Sequence, residues 1–370
     1  MIYYFMVPLA DEIPGANVFR YISFRTAWGM LTALAICYVA FPPFIERMKR
    51  MRADQIIRED GPQSHRLDKV GTPTMGGLCI LMAVAVSALL WGRLDVPWVW
   101  MNLVILLGYG AIGLLDDWKK VVQRSSDGLA GRWKLVLQTL IGGAVLGYAH
   151  VTGLIEPTLP MPFFKDAVID FRELWTGAPD ALGWLYPAVA LFILVGASNA
   201  VNLTDGLDGL AIGPVMTSAA TYGVIAYVTG NTRFAEYLGI PYVAGTGELA
   251  VLAMALVGAG LGFLWYNAYP ASVFMGDVGS LALGGVLAMM AVSTKHEVLL
   301  GIVGGIFVLE AVSVILQVGS FKLRGKRIFA MAPIHHHYEQ RGWSEPKIIV
   351  RFWIISVILA LVGLSTLKLR

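Results

Sequence analysis

Cysteine is nearly absent. Cys37 and Cys79 are the only two in 370 residues, and each sits inside an apolar run, which argues against a disulfide framework and for two buried free thiols. Charge is also scarce: Asp, Glu, Lys and Arg make up 14% of the chain against 57% hydrophobic residues, with a mean hydropathy of +0.67. Soluble domains do not have this composition, so the usual division of such a length into about two or three soluble domains does not apply. No Gly-x-x-x-x-Gly-Lys loop or credible dinucleotide fingerprint occurs, and bound phosphates would have to be held by metal, basic side chains and helix ends. A net charge of +3 lends no support to nucleic-acid binding. The apolar first ten residues run into Asp11 and Glu12 without a basic leader or a small-residue cleavage site, so no cleaved signal peptide is expected. Neither internal repeats nor low-complexity tracts are present.

What is abundant is long apolar sequence. Runs near 20 residues recur throughout, each long enough to cross a hydrocarbon core of roughly 30 Å as a helix. The expected spans are 26–45, 73–91, 96–115, 135–153, 182–200, 210–229, 249–268, 280–294, 298–319 and 348–367, of which the eighth is short and Gly-containing. The expectation is an all-α polytopic membrane protein of ten transmembrane helices, with residues 1–370 forming a single domain.

Basic residues orient such a bundle. The first, third and ninth connections carry Arg47, Lys49, Arg50, Arg52, Arg58, Arg66, Lys69, Lys119, Lys120, Arg124, Arg132, Lys134, Lys322, Arg324, Lys326, Arg327, Arg341 and Lys347, with Arg351 just beyond. That is 19 of the 28 Lys and Arg residues. Odd-numbered connections are therefore expected in the cytoplasm and both termini in the periplasm. The fourth connection, 154–181, is rich in proline and acidic residues and fits an outside loop.

The acidic motifs fall on that same cytoplasmic face, although the basic residues alone decided the sides. Asp116 and Asp117 end the third span, Asp205 and Asp208 lie between the fifth and sixth, and Asp277 lies between the seventh and eighth. Adjacent carboxylates repel unless a cation or a proton offsets them, and an all-oxygen set favours a hard ion such as Mg2+ over zinc. Mg2+ takes only one or two carboxylates beside water and substrate phosphates, so not all five aspartates can be ligands. In the segment from Ser198 to Gly209, polar residues Asn199, Asn202, Asp205 and Asp208 recur every third position and share a helix face or turn. Capping alone would need fewer of them. Around Asp277, glycines permit close backbone approach and Phe274 offers a face for stacking a base. His335, His336 and His337 cannot all point at one metal from a regular helix, and are better suited to hydrogen-bond phosphates or relay a proton. Lys69, Lys120, Lys134 and Arg327 suit an anionic nucleotide-sugar beside an anionic lipid. Glu310 and Gln317, seven apart in the ninth span, share a face directed to the bundle interior or a cavity.

These residues carry a resemblance. Asp116-Asp117, the run from Asn199 to Leu210, Phe274-Met-Gly-Asp277-Val-Gly-Ser and Pro333-Ile-His-His-His337 resemble the signatures of the polyprenyl-phosphate N-acetylhexosamine-1-phosphate transferase superfamily. The triple histidine and the run from Lys69 to Gly77 are similar to its MraY branch, the phospho-N-acetylmuramoyl-pentapeptide transferases. The resemblance implies UDP-N-acetylmuramoyl-pentapeptide as donor, undecaprenyl phosphate as acceptor, lipid I and UMP as products, Mg2+ as cofactor, a homodimer, and a bacterial inner membrane with the site facing the cytoplasm. On this reading Asp116, Asp117, Asp277 and His335 are catalytic, and Asp117 and Asp277 are the metal ligands. Substrate binding falls to Lys69, Lys120, Lys134, Asn199, Asn202, Asp205, Gly206, Leu207, Asp208, Phe274, Gln317, His336 and His337. Direct attack by the acceptor phosphate and a covalent aspartyl-phosphate route both remain open at this stage.

Two other classes fit less well. A cation-coupled transporter is expected to carry its aspartates near the bilayer midplane on broken helices, not at one face. The nearer alternative, a related transferase using UDP-N-acetylglucosamine, is disfavoured by the triple histidine. The charge tally generates a direct test of orientation. Cysteine introduced at Gly325 should react with an impermeant thiol reagent only from the cytosolic side, and cysteine at Asp170 only from outside. Outside labelling at Gly325 would remove the shared-face argument.

Overall fold

Where backbone polar groups have no water to pair with, a crossing segment must satisfy them internally, and the apolar runs accordingly become helices. The computed structural model describes residues 1–51, 71–124, 127–164, 167–174 and 179–368. Its main helices are α1 (Ile22–Arg50), α2 (Gly77–Trp91), α3 (Pro97–Gln123), α4 (Gly131–Val151), α5 (Leu185–Thr204), α6 (Ile212–Thr229), α7 (Leu249–Asn267), α8 (Gly276–Ser293), α9 (Gly305–Arg324) and α10 (Glu345–Ser365). Each expected span coincides with one of them. Eight are long and apolar enough to cross a membrane; α2 has only 15 residues, and α6, with 18, is not among the eight.

Two departures from the expected plan have local causes. The ninth span is broken: a short helix, Glu297–Val303, precedes α9, and the break falls at the adjacent glycines Gly304 and Gly305, which have no side chains to favour continuing the helix. The fourth connection is not wholly irregular. It contains a small antiparallel hairpin, β1 (Thr158–Pro160) with β2 (Val168–Asp170), so the chain is nearly, not strictly, all-α.

The short eighth span turns out to be the bundle's axis. Of α8, 89% is buried, packed chiefly on α3 and α5. Its run of Gly, Ala, Leu and Met lets neighbouring backbones approach closely, which is how helices gain packing energy where lipid is as apolar as the core. Cys37 and Cys79 are both buried and unpaired, with Cys37 Sγ 3.8 Å from the Cys79 carbonyl oxygen.

The end of the bundle that holds the start of α1 is closed by an ion pair. Arg25 donates from Nη1 to Glu248 Oε2 at 2.6 Å and from Nη2 to Oε1 at 2.7 Å, and Nη1 also reaches the Trp91 carbonyl at 3.1 Å. Arg93 N adds a bond to Glu248 Oε2 at 3.1 Å, so the carboxylate ties α1, the end of α2 and the start of α7 together. Both side chains are almost fully enclosed. Removing one partner strands the other charge, which costs about 3–5 kcal/mol in buried pairs. Glu248→Ala should therefore lower the thermal denaturation midpoint of the purified protein sharply, while the paired change Arg25→Met with Glu248→Leu should recover most of the loss. Equal midpoints for Glu248→Ala and wild type would show that the pair is not a stability element.

Candidate functional site

The opposite end of the bundle gathers the acidic motifs. Asp116, Asp117 and Lys120 occupy the last turns of α3, Lys134 the first turn of α4, Asn199 and Asn202 the last turns of α5, and Asp277 the first turn of α8. Antiparallel succession brings these ends together. Lys120 Nζ lies 2.5 Å from Asp116 Oδ2, 3.3 Å from Asp117 Oδ1 and 3.5 Å from Asp277 Oδ1. Lys134 Nζ lies 2.9 Å from Asp116 Oδ1 and 2.6 Å from Asp277 Oδ2.

Helix ends explain why carboxylates are tolerated here. The first N–H groups of a helix have no partner within it. Val278 N, in the first turn of α8, donates to Asp117 Oδ2 at 3.1 Å, so a residue of α3 caps α8. Asp277 sits at the same helix start, where the aligned peptide dipoles favour negative charge. Gly276 makes the approach possible: its φ is +74°, and a Cβ there would collide with Asp117 Oδ2. On the other side of the cluster, Leu129 N donates to Asp116 Oδ1 at 2.6 Å.

Asp116, Asp117 and Asp277 can each offer one oxygen within 4.8 Å of one another. With all three ionised, two lysines leave one negative charge uncompensated among them. The donors are all oxygen, with no thiolate or imidazole in the set, which fits a hard divalent cation. Asp205 and Asp208 are not part of this set. Asp208 is buried and works on the backbone: Ala271 N donates to its Oδ2 at 2.9 Å, and its own N–H donates to Glu345 Oε1 at 2.8 Å.

The other expected site residues divide by position. Asn202 donates to Asp277 Oδ1 at 3.0 Å and to Ser280 Oγ at 2.8 Å, and so orients the central carboxylate. Asn199 is one step removed, donating to Gln138 Oε1 at 3.0 Å. Phe274 lies in a stretch whose backbone pairs with residues 73–76: Phe274 N donates to Pro73 O and Gly76 N to Phe274 O, each at 2.8 Å. Asp205 and Gly206 are half-buried and Leu207 is buried in the turn after α5. Gln317 bridges backbone: it accepts from Ile328 N and Phe329 N and donates to Phe329 O. The histidines diverge, as the helix geometry demands. His335 is fully buried beside Glu310, His336 Nδ1 lies 2.5 Å from Glu339, and His337 Nδ1 accepts from Ala330 N at 3.0 Å. Lys69 lies outside the described residues.

Several contributors were not foreseen from the sequence. Gln138 on α4 is fully buried, donates to Ser198 Oγ at 2.8 Å and accepts from Asn199. Asn267 at the end of α7 accepts from Gly209 N at 2.9 Å and donates to Val273 O at 2.8 Å, tying both Gly-flanked aspartate segments together. Their one visible signal was an amide inside or at the edge of an apolar span.

Residues 99–295, which hold all three converging carboxylates, match the sequence profile of glycosyl transferase family 4. The chain is 56% identical over 370 residues to a phospho-N-acetylmuramoyl-pentapeptide-transferase of Pelobacter propionicus, with all of both chains covered. It is 55% identical over 372 residues to the enzyme of that name from Rhodopseudomonas palustris, covering 99% of each, and 54% identical over 371 residues to that from Syntrophus aciditrophicus, covering all of both. The chain belongs to this transferase family. The lysines offset the carboxylates, and would compete with a cation for the same oxygens. Lys134→Met should therefore tighten Mn2+ binding, read from the free-ion electron paramagnetic resonance signal, by about tenfold or more, since unit charges near 4 Å interact by several kcal/mol in a partly buried site. Turnover should fall in the same variant. Unchanged or weaker Mn2+ binding would separate Lys134 from the metal environment.

Proposed function

We propose that the chain transfers phospho-N-acetylmuramoyl-pentapeptide from UDP-N-acetylmuramoyl-pentapeptide to undecaprenyl phosphate, giving lipid I and UMP, the first membrane step of peptidoglycan synthesis. The observation that carries this reading is the convergence of Asp116, Asp117 and Asp277 with Lys120 and Lys134 at one end of a lipid-embedded bundle. Such a site can hold a polyanionic donor beside a lipid phosphate. We place it on the cytoplasmic side of a bacterial inner membrane, with ten crossings, both termini periplasmic and the protein a homodimer; the basic odd-numbered connections and the family resemblance support this arrangement.

The reaction is a displacement at phosphorus. An oxygen of undecaprenyl phosphate attacks the sugar-proximal phosphorus of the donor, the bond from that phosphorus to the bridging oxygen breaks, and UMP leaves with the electron pair. Asp277 and Asp117 would hold Mg2+, which when bound offsets phosphate charge at the reacting centre. Lys120 and Lys134 stand ready to neutralise the charge that develops on UMP. Asn202 keeps the Asp277 carboxylate oriented. Asp116 positions the two ammonium groups and orients or deprotonates the acceptor phosphate. Its oxygens already face Lys120, Lys134 and Leu129 N, which favours this role over attack on phosphorus and so favours the one-step route. A phosphate monoester has its second pKa near about 6 and is mostly dianionic at neutral pH, so it needs little help from a base.

Purified protein given both substrates and Mg2+ should release UMP, and a chelator should abolish release until Mg2+ or Mn2+ is restored. Release with UDP-N-acetylglucosamine in place of the muramoyl donor would redirect the assignment to the related branch. Among folded, monodisperse variants, Asp277→Asn should raise the Mg2+ concentration for half-maximal rate as well as lowering the rate. Asp116→Asn should lower the rate with less change in metal requirement, and its deficit should shrink as pH rises above about 6, where the acceptor ionises unaided. Wild-type rate and metal dependence in Asp277→Asn would transfer the ligand role to Asp117.

A further inference from the structure

A buried pair outside the carboxylate cluster joins the apolar interior to the turn that follows α5. Glu310, on α9, and His335, in the short helix Ile334–Gln340, are both fully enclosed. His335 Nδ1 lies 3.1 Å from Glu310 Oε1, at ion-pair distance though without the alignment of a hydrogen bond. The other edge of the ring faces Gly206. A Cβ built on Gly206 would collide with His335 Nε2, so the ring occupies the space a side chain would need. Nε2 itself is enclosed there and has no hydrogen-bond partner among the described residues.

An unpaired carboxyl or imidazole in such surroundings is costly, and the two together are far less so. A carboxylate oxygen beside Nδ1 favours a proton on that nitrogen whether the ring is neutral or charged, which leaves Nε2 directed at the turn. The turn is otherwise pinned at its far side, where Asp208 and Gly209 bond to Glu345, Ala271 and Asn267. The three heavy atoms nearest a Cβ on Gly206 all belong to the His335 ring.

We propose that Glu310 is a positioning residue: it holds the His335 ring against Gly206 and thereby braces residues 204–209 in the shape that receives the nucleotide-sugar donor. The donor half of this inference rests on the function proposed above. Glu310 touches no substrate. It acts through His335, as the outer partners of metal-ligating histidines act through them, where loss of the partner costs about 10–100-fold.

The test uses full-length protein in detergent. Nitrogen-15 histidine spectra, with His335 assigned by its absence in His335→Gln, should show the proton on Nδ1 in wild type and its displacement in Glu310→Leu. Calorimetric binding of UDP-N-acetylmuramoyl-pentapeptide, which needs no turnover, should weaken about tenfold in folded Glu310→Leu. Glu310→Gln, which keeps an oxygen acceptor at nearly the same place, should stay within about threefold of wild type. Adding Glu310→Leu to His335→Gln should cost no further affinity, since the two residues act as one unit. Should Glu310→Leu fail to fold, Glu310→Asp, with its carboxylate drawn back by one methylene, takes its place. An unaltered His335 spectrum, unchanged donor affinity, or additive losses in the double variant would each overturn the proposal. Wild-type protein that binds no donor at all would instead overturn the proposed substrate and leave the spectral result on the pair standing.

Discussion

Three carboxylates brought within one ligand sphere repel one another, and the rest of this bundle can be read as the set of arrangements that makes their approach tolerable. Two lysines from two helices insert between them. The start of α8 contributes the field of its unpaired N–H groups, with Asp277 in its first turn and Val278 N bonded across to Asp117. A glycine at position 276 avoids a side chain that would collide with Asp117 Oδ2. Remove any one of these and the charge cluster would have to open or take up protons.

Precision at that end depends on rigidity along the whole of α8. The helix is enclosed by its neighbours over nearly its full length, so its first turn cannot drift relative to α3 and α5 without repacking the centre of the bundle. The polar chain Gln138, Ser198 and the Leu281 carbonyl ties α4, α5 and α8 within the apolar interior. Buried polar links of this kind rigidify when every member is satisfied. At the other end, the Arg25–Glu248 pair fixes the starts of α1 and α7. The site thus inherits its geometry from contacts many turns away.

In the histidine run, neighbours in sequence do not share partners. As expected for three consecutive positions on a helix, the imidazoles leave in three directions, toward Glu310, Glu339 and the Ala330 amide. All three lie against protein groups, and Gln317 likewise spends its amide on the backbone of residues 328 and 329. Much of the motif sequence in this chain therefore also shapes the turns around the carboxylates.

Hydropathy alone located every main helix, with ends up to eight residues off, because a lipid-embedded helix must be apolar along its length and the signal accumulates over about 20 positions. The broken ninth span and the small hairpin lay below that resolution, since a two-glycine interruption or two three-residue strands barely change a window average. The acidic motifs and their common end of the bundle were equally legible, the one from residue type and the other from the alternation of spans. Which of the five aspartates converge was not legible from spacing; the family resemblance alone singled out Asp116, Asp117 and Asp277. Asp116, Asp117 and Asp277 meet while Asp208 turns to backbone amides, and the buried roles of Gln138, Asn267 and Glu310 depend on partners 50 or more positions away or on neighbouring elements. Sequence spacing determines which face of its own helix a side chain occupies; the distance between faces of different helices is decided only when α3, α5 and α8 pack, because it depends on where small residues allow their axes to close.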